Sequence, residues 1–203
     1  MRFIGIMGIM GIAGIVIAAM ACESPSAREP KSAEAGTAVD SVVPRKEALR
    51  RFREAMPPVE YLQEGESSVA ALIGAYARAL QARDTAAIAR LAISRAEFAW
   101  LYYPTTPQGL PPYDVEPGLL WFLMSSRSDK GARRALTVYG GHKAQVLGHD
   151  CGQSGTREGE NTIWGPCTVR WVRKGGDTVS IKLLGQIIER DHRYKVLSYS
   201  NDL

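Results

Sequence analysis

The residues with the clearest chemical potential lie in one stretch near the end of the chain, GHDCGQSGTREGENTIWGPC, at positions 148–167. It contains His149, Cys151 and Cys167. These residue types suit a metal site, a cysteine nucleophile with a histidine base, or a structural disulfide. A structural zinc site uses about four ligands, commonly in compact pairs such as CxxC, and this stretch offers at most three. A cysteine nucleophile needs a free thiol with a lowered pKa, which disulfide pairing would remove.

The amino terminus indicates the compartment in which these cysteines reside. Arg2 is followed by an apolar and glycine-rich run over residues 3–21 and then by Cys22. Because glycines interrupt the run, it fits a cleaved secretory signal better than a membrane-spanning helix. The sequence AMAC resembles the lipobox of bacterial lipoproteins, although Ala19 stands where leucine is usual. The resemblance implies a signal peptide over residues 1–21 and a lipidated Cys22, with an uncleaved single span or an ordinary secretory signal as alternatives.

Either kind of export signal delivers the chain to an oxidising compartment, where paired cysteines usually form disulfides. The fifteen residues between Cys151 and Cys167 are rich in glycine and polar side chains, so the chain can loop out and return. We therefore predict a Cys151–Cys167 disulfide. Metal binding and a reactive thiol are the weaker alternatives, and no metal ligand or cofactor is assigned.

Residues 22–42 are rich in Ser, Ala, Pro, Glu and Lys and carry almost no bulky apolar side chains. Such a segment buries too little surface to offset its ordering entropy, so we predict a disordered tether. In the lipoproteins that the chain resembles, an aspartate after the lipidated cysteine often signals inner-membrane retention, and Glu23 stands there instead. The expected location is the cell envelope, on an outer membrane facing the periplasm if the cell has one, with the N-terminal lipid as the membrane contact.

Residues 43–64 contain a basic amphipathic helix and a linker. In PRKEALRRFREAMPP, cations outnumber carboxylates, and Leu49, Phe52 and Met56 recur at helical spacing before Pro57 and Pro58 end the helix. One interpretation places this helix on anionic lipid. The preferred interpretation docks its narrow apolar stripe on the domain and leaves its basic face in water.

The sequence pattern over residues 65–203 predicts one α+β domain. Ser67 or Ser68 precedes the helical pattern VAALIGAYARALQAR, Asp84 precedes TAAIARLA, and Ser94 with Glu97 forms a capping box. The pattern PGLLWFLMSSRSDKGARRALTVYGG predicts a further helix, or a broken pair of helices, that ends at the two glycines.

After this helix, apolar residues recur at every second position, which is the period of a β-strand. The stretches KAQVLGHDC, CTVRWVR, DTVSIKLLGQIIE and YKVLSYS predict strands, and KGGD and RDHR have the length and composition of hairpin turns. Helices followed by antiparallel strands predict an α+β architecture in which helices cover one sheet.

Two stretches carry a family resemblance, VAALIGAYARALQARDTAAIARL and IIERDHRYKVLSYSNDL. With the helices-then-strands order, they resemble the nuclear transport factor 2-like superfamily, which includes the SnoaL-like cyclases and ketosteroid isomerases. The resemblance implies a cone-shaped, curved antiparallel sheet under N-terminal helices, with a pocket between them, and it is compatible with a homodimer. Enzymes of the superfamily place Asp, His or Tyr groups in that pocket. No residue of this chain is matched to such a role, so no catalytic residue is assigned.

An aromatic and proline-rich stretch, LYYPTTPQGLPPYDVEPGLLWF, is either a preformed lid or partner-binding face, or a rigid connection that packs on the core. For each side chain that could contact a ligand, the alternative is a turn, surface or core-edge role. The candidate ligand-binding residues are Tyr102, Tyr103, Tyr113, Trp121, Tyr139 and His149.

The overall composition excludes few classes of function. A formal net charge of +4 and a hydrophobic content of 45% give no reason to expect a nucleic-acid partner. The chain contains no P-loop, dinucleotide fingerprint, HExxH, GxSxG or EF-hand pattern.

Two functional hypotheses remain. The one that we prefer is a non-enzymatic module that binds a small apolar ligand or an envelope protein. The other is a lyase, isomerase or hydrolase acting on an apolar small molecule. An enzyme would need a buried ionisable group projecting into the cavity.

Overall fold

Five α-helices precede seven β-strands in the computed structural model, which describes residues 43–143, 145–172 and 176–201. The signal peptide, the lipidated Cys22 and the tether predicted for residues 1–42 lie outside the described residues. A π-helical segment, Phe98–Tyr102, continues α4, and a 3-10 turn, Pro107–Gly109, precedes α5. The helices are α1 Arg45–Arg53, α2 Val69–Ala82, α3 Thr85–Leu91, α4 Arg95–Glu97 and α5 Pro117–Tyr139. The strands are β1 Gln145–Asp150, β2 Thr156–Glu158, β3 Asn161–Trp164, β4 Cys167–Val172, β5 Thr178–Leu184, β6 Gln186–Arg190 and β7 Arg193–Ser198. This order confirms the α+β class.

The helices begin at the residues that the sequence predicts. The Ser68 hydroxyl accepts the Ala71 N–H at the start of α2, and the Asp84 carboxylate accepts the Ala87 N–H at the start of α3. The Ser94–Glu97 capping box is present at α4. Helix α5 is one continuous helix of 23 residues, not a broken pair, and ends at Gly140.

Every strand pair among the described residues is antiparallel, but the strands form two sheets where the sequence predicts one. One sheet has the order β1-β4-β5 and the other the order β2-β3-β6-β7. Strands β5 and β6 are separated only by Gly185, where the backbone bends. The continuous segment from Thr178 to Arg190 therefore contributes a strand to each sheet.

The hairpin β2–β3 was not predicted. It lies between Cys151 and Cys167, and β3 pairs with β6, so this stretch is ordered sheet and not an open loop. The RDHR turn is confirmed: Asp191 and His192 have φ values of 50° and 58° and connect β6 to β7. This left-handed pair of residues matches the twist of an antiparallel hairpin.

Two hydrophobic cores hold these elements together. The first joins α2 to both sheets and contains Tyr76, Trp171 and Val196. The second surrounds Phe98 and includes Phe52 of α1. Both cores lie within residues 41–203, which form one compact unit. This part of the chain therefore contains the buried contacts that a folded domain needs.

Helix α5 packs closely at Gly131 against the residues that follow β7. The Ser128 hydroxyl accepts the Tyr199 N–H at 3.0 Å, and the Asn201 amide donates to the Gly131 carbonyl at 2.9 Å. A side chain at position 131 would overlap the backbone carbonyl of Tyr199. Only glycine permits this separation between helix and strand.

We expect Gly131→Ala to lower the free energy of unfolding by about 1–3 kcal/mol, since the overlapped atoms are backbone and cannot move aside cheaply. Gly74→Ala, inside α2, is the matched control, because the new methyl group would meet only the flexible end of Arg78 at 3.4 Å. That control should be neutral or stabilising by up to about 1 kcal/mol through helix propensity. Urea unfolding of both variants measures the difference, and equal midpoints would contradict the close approach at Gly131.

Candidate functional site

An open cleft of about 480 Å³ lies between α3 and α5, and we call it the α3–α5 cleft. Its floor is formed by Leu197 of β7 and by Tyr199, which follows β7. Its walls include Ile88 of α3 together with Met124 and Leu136 of α5. The volume is within the range of small-molecule pockets, about 300–1,000 Å³, and the lining is mainly apolar.

The cleft exists because small side chains face each other across it. Helix α3 and the residue that follows it contribute Ala89 and Ala92, and α5 contributes Ser125, Ser128 and Ala132. Short side chains on two neighbouring helices leave space between them where larger ones would interdigitate. The sequence holds a signal for this face, since positions 125, 128 and 132 recur at helical spacing, but our sequence interpretation did not use it.

Tyr199 forms part of the floor of the cleft and is fixed in place by two contacts. Its hydroxyl donates to the Ile88 carbonyl at 2.7 Å, and its ring packs against Tyr76 with centroids 4.8 Å apart. Burial raises the pKa of Tyr199 well above its ordinary value, so the hydroxyl stays protonated and committed to Ile88. The side chain therefore joins α3 to the sheet and gives the cleft a rigid floor.

The rim of the cleft is charged. Besides Tyr199, the ionisable side chains that line it are Arg95, Asp129 and Arg133, and all three are exposed. The Arg95 guanidinium lies 4.5 Å from the ring centroid of Phe52. These three charged groups therefore face solvent at the edge of the apolar lining.

A buried ion pair, Glu97 with Lys195, does not belong to the lining of the cleft. The Glu97 carboxylate accepts the Lys195 ammonium group at 3.0 and 3.2 Å, the Gln63 N–H at 2.7 Å and the Ser94 N–H at 2.6 Å. Its side chain is 1% exposed and that of Lys195 is 6% exposed. The sequence predicted the capping role of Glu97 but not its partner Lys195. Because both carboxylate oxygens are occupied, this pair is structural.

The structure brings three of the predicted ligand-binding residues together around Phe98. Ring centroids of Tyr102, Tyr103 and Trp121 lie 5.9, 5.8 and 5.2 Å from that of Phe98. Tyr102 and Tyr103 are buried in the second core, where the Tyr103 hydroxyl donates to the Val115 carbonyl at 2.8 Å. Burial raises the pKa of Tyr102 to about 12. Of the three, Trp121 lines the α3–α5 cleft.

The other three predicted residues lie apart. Tyr139 is buried against Trp171, with ring centroids 5.2 Å apart. Tyr113 is 68% exposed in the loop before α5, and His149 is exposed on β1, opposite Val169 of β4. A ligand-binding role for any of the six residues stays a prediction.

The predicted Cys151–Cys167 disulfide is confirmed. Because the two sulfur atoms are bonded to each other, neither is available as a nucleophile or a metal ligand. In the part of the chain that the structure describes, no group of three or more His, Cys, Asp or Glu side chains is placed to hold a metal ion. The disulfide also covers part of the first core, since Cys167 is fully buried.

Helix α1 docks on the domain, as the preferred interpretation predicts. Phe52 is buried in the second core, with Leu49 and Met56 packed against it. Arg45 donates to the Pro104 carbonyl at 3.1 Å, and Arg53 donates to the Ala99 carbonyl at 2.8 Å. The apolar stripe of α1 is therefore covered and is not available to lipid.

The outer face of α1 is largely neutralised within the helix. Glu47 pairs with Arg50 at 2.8 Å and with Arg51 at 2.7 Å, and Arg50 also pairs with Glu54 at 3.1 Å. These hydrogen bonds lower the pKa of Glu47 to about 2, so the carboxylate is ionised throughout the physiological pH range.

Comparisons with protein-family models, curated proteins and solved structures find no match for this chain. Within residues 43–143, 145–172 and 176–201, no helix has the length and apolar character needed to span a bilayer.

Proposed function

We propose that this chain is an exported, lipid-anchored cell-envelope protein whose domain binds a small apolar ligand in the α3–α5 cleft and does not catalyse a reaction. The observation that carries the proposal is the cleft itself, about 480 Å³ with an apolar floor and a charged rim. A site of this kind gains affinity from apolar burial and uses a few polar groups for orientation.

Export and anchoring are supported by residues 1–22 and by the disulfide. The apolar run and the AMAC sequence favour a lipoprotein signal that ends before Cys22. A disulfide between Cys151 and Cys167 is typical of proteins that fold in an oxidising compartment. We place the protein on an outer membrane facing the periplasm where the cell has one, with residues 22–42 as the tether.

For the fold, we propose a nuclear transport factor 2-like, cone-shaped domain. Support comes from the helices-before-strands order and from the bend at Gly185, which passes one chain segment through both sheets as a strongly curved sheet would. Tyr76, Tyr139 and Trp171 are buried in the first core. Because these aromatic side chains occupy that interior, we place the ligand in the α3–α5 cleft and not in the middle of the cone.

Binding is preferred to catalysis because of where the ionisable groups lie. Arg95, Asp129 and Arg133 line the cleft but are exposed, and the Tyr199 hydroxyl is committed to a backbone carbonyl. The buried Glu97 does not line the cleft and is fully hydrogen-bonded. The cleft thus lacks, among its lining residues, the desolvated and unoccupied acid or base that catalysis would use.

We expect Ala89→Phe to weaken binding of the neutral apolar probe N-phenyl-1-naphthylamine by at least about tenfold, because the new ring would occupy the cleft. Titration of residues 41–203, followed by the increase in fluorescence of the bound probe, measures this. Ala86→Phe is the matched control: both alanines are exposed on α3, but only Ala89 lines the cleft. Equal affinity of the two variants would contradict the assignment of the cleft as the ligand site.

A further inference from the structure

The outward side of α5 combines exposed apolar side chains with cations, and we call it the α5 face. Leu119, Phe122 and Leu123 are 51%, 63% and 40% exposed. One carboxylate, Asp129, also lies on the exposed side of the helix. The exposed cations of the face are Arg127, Lys130, Arg133 and Arg134.

The two kinds of residue are separated along the helix. Leu119, Phe122 and Leu123 lie in the first two turns of α5, and the cations lie further along the helix, over about two turns from Arg127 to Arg134. Leu123, Arg127, Lys130 and Arg134 recur at spacings of three and four, so they lie along one stripe. The face is therefore apolar at one end and basic at the other.

The cations of the α5 face are not held in ion pairs by the part of the domain that the structure describes. None of its four cations makes an ion pair with a described residue. On α1, by contrast, Arg50 and Arg51 are paired within the helix, and Arg53 is engaged with backbone. One interpretation of the sequence placed α1 on anionic lipid. Binding to anionic lipid therefore suits α5 better than α1.

We propose that the α5 face docks on an anionic phospholipid surface. Phe122 and the two leucines insert among the headgroups, and the cations of the following turns bind lipid phosphates. Interfacial helices use this combination of apolar insertion and Lys or Arg attraction. Three partly exposed apolar side chains form a small patch. A stable protein–protein interface buries a larger area, roughly 800 Å² on each partner. The complementary charge of an anionic bilayer makes lipid the better fit.

The docking would also orient the α3–α5 cleft, a consequence that rests on the proposed function. Trp121, Met124 and Ser125 line the cleft from the flank of α5 that adjoins this face, and Arg133 belongs to both. With α5 on the bilayer, the cleft opens beside the headgroups.

Vesicle flotation of residues 41–203 tests the docking with phosphatidylcholine vesicles, with and without phosphatidylglycerol. We expect binding that requires phosphatidylglycerol and weakens with salt. Arg127→Gln with Lys130→Gln should weaken partition about fivefold for each cation removed. Phe122→Ser should weaken it about tenfold. All three side chains are exposed, so the variants should fold, and circular dichroism verifies this.

Matched controls lie on other elements. Arg78→Gln with Arg90→Gln removes two exposed cations from α2 and α3, and Leu147→Ser removes an exposed apolar side chain from β1. These controls should bind like the unmodified protein. Binding without dependence on phosphatidylglycerol, equal losses in the controls, or no binding would overturn the proposal. A dimer in sedimentation that Phe122→Ser dissociates, without vesicle binding, would assign the face to a second copy of the chain instead.

Discussion

Glu97→Ala is expected to lower the free energy of unfolding by about 3–5 kcal/mol, because Lys195 would remain buried without a counter-ion. The Lys195 side chain is only 6% exposed, and its ammonium group is 3.0 Å from the Glu97 carboxylate. The N–H groups of Gln63 and Ser94 would lose their acceptor at the same time. A buried donor left unsatisfied adds to the cost.

A double-mutant cycle separates the ion pair from these backbone contacts. Glu97→Gln retains an acceptor, and Lys195→Met removes the charge while keeping a long side chain. The double variant should lose less stability than the sum of the two single variants, since neither leaves a buried charge when they are combined. Urea unfolding of the four proteins gives the coupling energy, and strict additivity would contradict a buried, interacting pair.

Replacing both Cys151 and Cys167 with alanine is expected to lower the free energy of unfolding by about 3 kcal/mol. A disulfide that closes a loop of this length restricts the unfolded chain by roughly that amount. For a domain of this size the melting temperature should fall by about 6–12 °C. Cys167 is also fully buried in the first core, so its truncation removes packing as well.

The reduced protein provides the control for this prediction. Unfolding and refolding of the unmodified chain in reductant should bring its melting temperature close to that of the double alanine variant, while the variant itself should not respond to reductant. If reductant lowers the melting temperature of the alanine variant as well, the effect does not come from this disulfide. The β2–β3 hairpin should persist in both proteins, because β3 pairs with β6 independently of the cysteines.

The parts of the fold that the sequence predicts are those set by local signals. Ser68, Asp84 and Ser94 satisfy backbone N–H groups within three residues of themselves, so capping is visible in the sequence. The buried side of β4 follows from simple alternation of Cys167, Val169 and Trp171. These contacts need no knowledge of distant segments.

The β2–β3 hairpin was missed because its support is non-local. Its strands have three and four residues, too few for a periodic pattern to stand out. The Asn161 amide donates to the Leu101 carbonyl at 2.8 Å, and Ile163 packs in the second core. Partners sixty residues away hold this segment in place, and sequence spacing does not identify them.

The α3–α5 cleft could not be predicted from the sequence for the same reason. The α3–α5 cleft is assembled from α3, α5 and the end of β7, which are far apart in the sequence. Aromatic composition directed the sequence interpretation to residues 101–122, but Tyr102 and Tyr103 pack in the second core, and Trp121 reaches the cleft. The small residues that create the space, such as Ala89 and Ala132, carry no chemical signature of their own.

Ligand binding in the α3–α5 cleft is tested by mass spectrometry of the exported protein, purified under mild conditions, with native spray compared with denaturing spray. We expect the unmodified protein to carry a small molecule that leaves on denaturation, and the Ala89→Phe variant to carry little or none. A bare polypeptide mass in native spray, or the same bound mass on the unmodified protein and on Ala89→Phe, would contradict ligand binding in the α3–α5 cleft.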